Sequence, residues 1–550
     1  MTPGQRATVV RAGLLAPPVA FLLLFFAWPV ANLVAEGLRG DGGWDLGGVR
    51  DVLGDEDLRS VAWFTLWQAA ASTALTLVVA LPAAHVLARY EFPGRRLVQA
   101  VVMVPFVLPT VVVGAAFVAL LGPTSPIGVD LRGTVWAILL AHAFFNHAVV
   151  VRTVGGLWEL LDPRTEEAAR ALGASPWAAV RAVTLPALRP AILSAALITF
   201  LFTFTSFGVV RLLGGPQHGT LEVEIYRQTA DLLNLPVASV LALLQLLAVG
   251  AILLVQSRLT RRWARTTVAL RPAPRRRATG RGERAWVAGN LGVLAVVVLT
   301  PLAVLVERSF RTGDGWGLGA WRALADQSRT TGLFVPPVEA VGNSLRFALA
   351  ATAIAVVLGA MAAGALARSQ GRSGQAVDVA LLLPLGTSAV TVGFGFLIAL
   401  DEPVDLRASP WLIPLAQALV ALPFVVRTMT PVLRSIDTRL REAAAVLGAS
   451  PGRVWREVDL PLVARALLVS AGFAFAISLG EFGATTVIAR ADAPTVPVAI
   501  DRLLGRPGLL NGGQAFALST ILMGCTVVAV ALVDRVRTDR AGRGPGGAWL

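Results

Sequence analysis

Twelve stretches of the chain are long, apolar and nearly free of charge: residues 12–34, 61–88, 98–121, 134–153, 187–210 and 238–258, then 285–306, 341–367, 376–400, 410–430, 462–488 and 513–534. A helix needs about 20 such residues to cross the hydrocarbon core of a bilayer. Inside lipid every backbone polar group must find its partner within the structure, which a helix achieves within one segment. The stretches are too long for membrane-barrel strands, which run about 9–11 residues. They predict an all-α integral membrane protein with about 12 transmembrane helices. Composition agrees, since 55% of the 550 residues are hydrophobic and 15% charged, against about 25% charged in soluble domains.

A formal charge of +14 invites a nucleic-acid reading, but the arginines lie in short segments between the apolar stretches and only two tyrosines are present. That distribution is topological, and no nucleic-acid partner is expected. Arg6 and Arg11 precede the first stretch, and Arg89, Arg95 and Arg96 lie between the second and third. The positive-inside rule assigns both groups to the cytoplasm. The loop at 35–60 carries Glu36, Asp41, Asp45, Asp51, Asp55, Glu56 and Asp57 against Arg39, Arg50 and Arg59, a balance expected of an external loop. Residues 258–284 hold Arg258, Arg261, Arg262, Arg265, Arg271, Arg275, Arg276, Arg277, Arg281 and Arg284 with Pro272 and Pro274. They read as a cytoplasmic, topogenic and lipid-facing linker between a first half, 1–257, and a second, 285–550. An even number of spans returns the C-terminus, with Arg535, Arg537, Arg540 and Arg543, to the cytoplasm. The first stretch exceeds a signal-peptide core and lacks a small-residue cleavage site, so a retained helix is expected.

All 48 basic side chains are arginine. A Walker A loop requires lysine to reach the β/γ-phosphates, so this chain holds none, and a Schiff-base lysine is excluded too. One cysteine, Cys525, makes neither an internal disulfide nor a cysteine-rich metal site. His85, His142, His147 and His218 are the only histidines. His142 and His147, five residues apart, share a helix face poorly and are read as polar helix contacts rather than ligands. Neither a Ser/His/Asp arrangement nor a phosphate loop stands out. The chain is expected to be no enzyme and to bind no cofactor itself, so its energy comes from another chain.

The chain repeats itself. Val129-Asp130-Leu131-Arg132 recurs as Val404-Asp405-Leu406-Arg407, and Val151-Arg152-Thr153 as Val426-Arg427-Thr428, both displaced by 275 residues. Before residue 115 the displacement is 279, as for Ala88-Arg89 and Ala367-Arg368 or Pro105 and Pro384. With six spans per copy the halves are parallel repeats, related by an axis along the membrane normal. The longest shared unit is Glu167-Ala168-Ala169-x3-Gly173-x9-Val183-x-Leu185-Pro186, matched by Glu442-Ala443-Ala444-x3-Gly448-x9-Val458-x-Leu460-Pro461. Each copy falls between the fourth and fifth spans of its half, in loops at about 160–190 and 435–465. The Glu-Ala-Ala run favours a short helix, Gly173 or Gly448 ends it, and Ser175-Pro176 or Ser450-Pro451 begins another. A helical hairpin on the cytoplasmic surface is predicted twice.

This duplicated unit resembles the EAA motif of binding-protein-dependent ABC importer permeases. The resemblance implies the type I permease fold and assigns Glu167, Ala168, Ala169, Gly173, Leu185 and Pro186, with Glu442, Ala443, Ala444, Gly448, Leu460 and Pro461, to ATPase-coupling loops. It also implies two copies of an ABC ATPase that uses the ATP, an extracytoplasmic solute-binding protein, and residence in the cytoplasmic membrane. The fused arrangement is similar to thiamine and ferric-iron permeases. Phe204-Thr205-Ser206-Phe207-Gly208, Leu213-Gly214-Gly215-Pro216-Gln217, Thr220-Leu221-Glu222 and Ile225-Tyr226 look like the thiamine branch. Ser478-Leu479-Gly480-Glu481-Phe482-Gly483-Ala484 is shared with molybdate and sulfate permeases as well.

Ser206, Phe207, Glu481 and Phe482 are the candidate substrate-pathway residues. Glu481 lies 20 residues beyond Pro461, about 30 Å along a helix, and two readings stand: a cation pathway or a carboxylate snorkelling from a helix end. Its first-half counterpart is the neutral Ser206. The string Gly393-Phe394-Gly395 is read as close helix packing. Two rival functions remain at this point, an ion-gradient-driven secondary transporter and a membrane scaffold that only recruits a partner. The first predicts paired intramembrane carboxylates, which the repeat does not supply.

Overall fold

The computed structural model describes residues 3–40, 43–44, 47–123, 125–126, 128–264, 274–312, 315–326, 332–367, 369, 372–401 and 405–538. Arg265, Arg271, Arg540 and Arg543 lie outside them. Among the described residues ten helices are long and apolar enough to cross a membrane: Arg11–Gly37, Glu56–Arg89, Val135–Leu160, Pro176–Phe204, Leu235–Leu259, Arg281–Ser309, Glu339–Ala367, Leu412–Ser435, Gly452–Gly480 and Leu509–Val533. Ten of the twelve expected stretches are thus helices of spanning length.

The other two, 98–121 and 376–400, are broken. Arg95–Val107 and Thr110–Leu121 meet at 100°. The break falls at Leu108-Pro109, where proline removes a backbone donor and forces the preceding residue out of the helical region; Leu108 has ψ 141°. In the second half Arg372–Leu382 runs into a 3₁₀ turn, Leu383–Gly386, containing Pro384. Ser388 then caps Ala389–Ala399, its Oγ accepting from Thr391 N–H at 3.1 Å. Both broken segments still traverse. Arg95 pairs with Glu159 at 2.7 Å and Arg89 Nη1 donates to Leu161 O at 2.8 Å, so the end of the Glu56–Arg89 helix adjoins the end of Val135–Leu160. That 26-residue helix is about 39 Å long, and residues 95–134 must therefore connect opposite ends of it. Arg434 Nη2 donating to Leu366 O at 3.3 Å marks the same arrangement in the second half.

The contacts divide the chain into two compact units, and these are not the two halves of the sequence. One comprises Met1–Gly48, Gln228–Val240 and Gly319–Leu550; the other comprises Val49–Arg227 and Leu241–Leu318. The opening helix of each half packs on the opposite half. Phe21 and Leu22 join the core of Ala355, Phe396, Leu419 and Leu422, and Trp28 Nε1 donates to Ala399 O at 3.1 Å. Likewise Leu294 and Val298 of Arg281–Ser309 join Ala80, Val102, Val150 and Ala195, and Trp286 Nε1 donates to His85 Nδ1 at 3.2 Å. The sequence repeat records how the chain is duplicated; packing follows the complementary apolar faces, which lie across the boundary.

The linker also departs from a purely topogenic, lipid-facing role. Arg276 N–H donates to Arg89 O at 3.0 Å and accepts, through its own carbonyl, from Glu91 N–H at 2.9 Å. Its guanidinium lies 5.2 Å from the Tyr90 ring centre and pairs with Glu283 at 2.8 Å, while Arg275 pairs with Glu159 at 3.1 Å. The end of the linker is a strap laid on the 89–92 loop.

Small residues let helices approach closely in lipid. A Cβ at Gly393 would lie 2.7 Å from Ala484 O and 2.9 Å from its Cα, so the Ala389–Ala399 helix rests directly on the backbone of Gly483–Ile488. The reading of that glycine string as close packing is met here. His142 is a polar contact of the expected kind: its Nδ1 lies 3.0 Å from Ser72 Oγ and its Nε2 2.9 Å from Ser206 Oγ. His147 Nδ1 lies 2.6 Å from Phe144 O.

Candidate functional site

The duplicated unit folds twice into the same local structure. In the first copy Arg164–Ala171 is a helix, Pro176–Ala179 begins the next, and a π-turn at Val180–Thr184 leads without interruption into Leu185–Phe204. In the second copy the elements are Thr438–Val446, Pro451–Val454, a π-turn at Trp455–Asp459 and Leu460–Gly480. Both π-turns occupy positions displaced by 275 residues, and such insertions are frequent at functional sites. The second arm of each hairpin is therefore the foot of a membrane helix, and Leu185-Pro186 or Leu460-Pro461 follows directly on the π-turn inside that continuous helix, where the altered bonding register accompanies a proline that has no N–H to donate.

The turn explains the glycine. Gly173 has φ +93° and Gly448 φ +80°, a left-handed conformation costly to other residues. Gly173 N–H bonds Arg170 O at 3.0 Å and Ala174 N–H bonds Ala169 O at 3.1 Å; Gly448 and Ala449 repeat the pattern on Ala445 and Ala444 at 3.0 Å each. These paired bonds satisfy carbonyls left open at a helix end. Ser175 Oγ then caps the next helix by accepting from Ala178 N–H at 3.2 Å.

Glu167 and Glu442 are exposed, as are Ala168 and Ala443, while Ala169 and Ala444 are half-buried. Large apolar side chains stand out at the tips: Leu172 is 90% exposed, Trp177 70%, Val446 87% and Leu447 87%. The reading of the sequence identified the glutamates and glycines by their identity in both copies. It passed over the apolar tip residues, which differ between copies, although the position after each EAA helix, Leu172 or Leu447, is leucine in both.

The candidate pathway residues lie elsewhere, at two further breaks. The stretches 187–210 and 462–488, read as continuous, are interrupted: Leu185–Phe204 stops before Gly208–Leu213, and Leu460–Gly480 before Gly483–Ile488. Ser206 is buried against His142, and Phe207 is buried with its ring centre 5.5 Å from that of Tyr226. Phe482 is buried as well. Glu481 is buried rather than snorkelling. Its carboxylate accepts from Ala484 N–H at 2.7 Å, Thr485 N–H at 3.0 Å and the Thr485 hydroxyl. It caps the short helix that follows, satisfying donors a helix start leaves open. Ser206 and Glu481 thus hold equivalent positions with different partners.

Comparison with known proteins follows the same division. A family model described as "Binding-protein-dependent transport system inner membrane component" matches twice, at residues 76–265 and 355–538. Each match includes one hairpin and leaves out the opening helix that packs on the other half. The chain is 29% identical over 570 aligned positions to the thiamine transport system permease protein ThiP of Brucella abortus (strain 2308), covering 98% of both chains. It is 28% identical to the protein of the same name from Escherichia coli (strain K12), covering 92% of this chain and 91% of that one. It is 26% identical to the probable ABC transporter permease protein y4fN of Sinorhizobium fredii (strain NBRC 101917 / NGR234), covering 88% of each. With the family matched in two copies over more than half its length, this chain belongs to the inner membrane components of binding-protein-dependent transport systems, as a multi-pass permease carrying both halves in one polypeptide.

Proposed function

We propose that the chain is the permease of an ATP-driven importer for thiamine, taking solute from an external binding protein and driven by two copies of a separate ATPase. The observation that carries the energetic part is the pair of hairpins, each with an exposed glutamate and uncovered apolar side chains at its tip. Burying a Leu, Val or Trp side chain stabilises by about 1.5–3 kcal/mol, so Leu172 with Trp177, and Val446 with Leu447, are suited to seat one ATPase each. Glu167 and Glu442 supply a charge beside those seats. Ala168, Ala169, Ala443 and Ala444 keep the helices slim, and Gly173 and Gly448 make the turns. Leu185-Pro186 and Leu460-Pro461 pass the hairpin's movement into the membrane helices, which alternate between access to either side.

Both hairpins, both termini and the 258–284 linker face the cytoplasm in this proposal, following the arginine distribution. After replacement of Cys525, cysteines introduced beside Gly173 and Gly448 are expected to react with impermeant reagents only in inverted vesicles. Labelling in intact cells would reverse the topology.

Thiamine is favoured over ferric iron by end-to-end similarity to permeases named for thiamine and by the Gly214-to-Tyr226 stretch. The breaks at Ser206-Phe207 and Glu481-Phe482 support a solute path near those residues, because discontinuous membrane helices commonly frame transport sites. Permease, ATPase and binding protein reconstituted together are expected to accumulate labelled thiamine with ATP, in competition with unlabelled thiamine and not with ferric iron. Indifference to both, with uptake of sulfate, molybdate or a sugar, would reject the assignment.

A further inference from the structure

The two hairpins are braced at the same place by different chemistry. In the first, the Thr184 hydroxyl donates to Glu166 Oε2 at 2.8 Å. In the second, the residues displaced by 275 positions are Arg441 and Asp459, and they form an ion pair, Arg441 Nε to Asp459 Oδ1, at 2.8 Å. The Asp459 side chain is 4% exposed and that of Arg441 27%. Each bond runs from the first helix of the hairpin to the last residue of the π-turn, at the foot of the membrane helix. Between the bonded residues lie the left-handed glycine and the π-turn, both places where helical chains bend.

We infer that Arg441 and Asp459, and in the first copy Glu166 and Thr184, are positioning residues for transport. Each pair closes its hairpin into a braced triangle. Force applied at the exposed tip then displaces the foot of Leu460–Gly480 or Leu185–Phe204 instead of flexing the hairpin. Taking away Arg441 leaves a desolvated carboxylate with its charge uncompensated, which opens the brace. The inference rests on the reading of the hairpins as ATPase seats, and it adds residues that touch neither the tip nor the solute.

The repeat supplies its own control, because the first hairpin shows that the fold accepts Glu and Thr at these positions. In the reconstituted complex, R441E sets two carboxylates against each other. Thiamine moved per ATP hydrolysed is expected to fall about tenfold or more, with the ATPase still co-purifying because the tip is unchanged. R441E combined with D459T installs the pair of the first copy and is expected to restore that ratio to within about twofold of wild type. A merely structural role would lower uptake and ATP hydrolysis together and leave their ratio alone. A normal ratio in R441E, or a double variant as uncoupled as the single one, overturns the inference. Should R441E fail to reach the membrane, D459N replaces it: a reduced ratio supports the brace and an unchanged one overturns it. If the ATPase does not bind the wild-type permease at all, the reading beneath fails and the brace falls with it.

Discussion

Exchanging Glu167 and Glu442 together for arginine is expected to abolish ATP-dependent uptake while leaving the permease inserted and folded. Both side chains are exposed on hairpins outside the lipid-facing spans, so the stability of the permease itself should move by no more than about 0.5 kcal/mol. At an ATPase interface the same change reverses a charge that becomes desolvated on docking. A buried charge beside an unsuitable partner costs about 3–5 kcal/mol, a loss of roughly two to four orders of magnitude in affinity. Unfolding in detergent, co-purification of the ATPase and uptake in vesicles separate the two effects. A double variant that retains its ATPase and transports normally would show these glutamates to be ordinary surface residues.

A large effect on the fold itself is expected from Gly393→Val. The added Cβ would meet Ala484 O at 2.7 Å, Ala484 Cα at 2.9 Å and Val487 Cβ at 3.1 Å. Two of those three atoms are backbone and have no rotamer to change, so the Ala389–Ala399 and Gly483–Ile488 helices must part. Overpacking of this kind costs about 3 kcal/mol. Gly156→Ala is the matched control, since nothing lies within 4 Å of a Cβ there and alanine raises helix propensity by about 1 kcal/mol. The thermal midpoint in detergent should fall for the first and hold or rise for the second. Equal midpoints would mean that the glycine does not set this helix contact.

The spans and hairpins were legible because they depend on properties a single chain displays: apolar length for the spans, and identity at a fixed displacement for Glu167, Gly173 and Pro186 with their partners. What escaped depends on local hydrogen bonding or on contacts remote in sequence. Hydropathy is blind to the interruption at Leu108-Pro109, because both residues are apolar on either side of the bend. It is equally blind to Glu481 turning back onto Ala484 and Thr485, where a carboxyl group open to two readings, cation pathway or snorkelling helix end, serves as a cap. The braces were hidden for the opposite reason. Glu166 and Thr184 become Arg441 and Asp459, so the function of the pair persists while the residue types change, and a search for identity passes over them. Nor does the repeat report which helix packs on which, since Phe21 and Phe396 belong to different halves of the sequence.

That exchange of opening helices has a consequence for biosynthesis. Arg11–Gly37 leaves the ribosome before the helices it packs against, which begin at Glu339, about 300 residues later. At roughly 5–20 residues per second it waits on the order of 15–60 seconds for them. Arg281–Ser309, by contrast, emerges when the helices of its unit from Glu56–Arg89 to Leu235–Leu259 have already been made. The unit of Val49–Arg227 and Leu241–Leu318 can therefore close while the helices from Glu339 onward are still being made, and the other closes only after them. Until then the first helix lacks the core residues of the second half that cover Phe21 and Leu22 in the finished protein. A mean hydropathy of 2.1, with Leu23, Leu24 and Trp28 exposed even in the finished protein, suits it to that interval as much as to its final place.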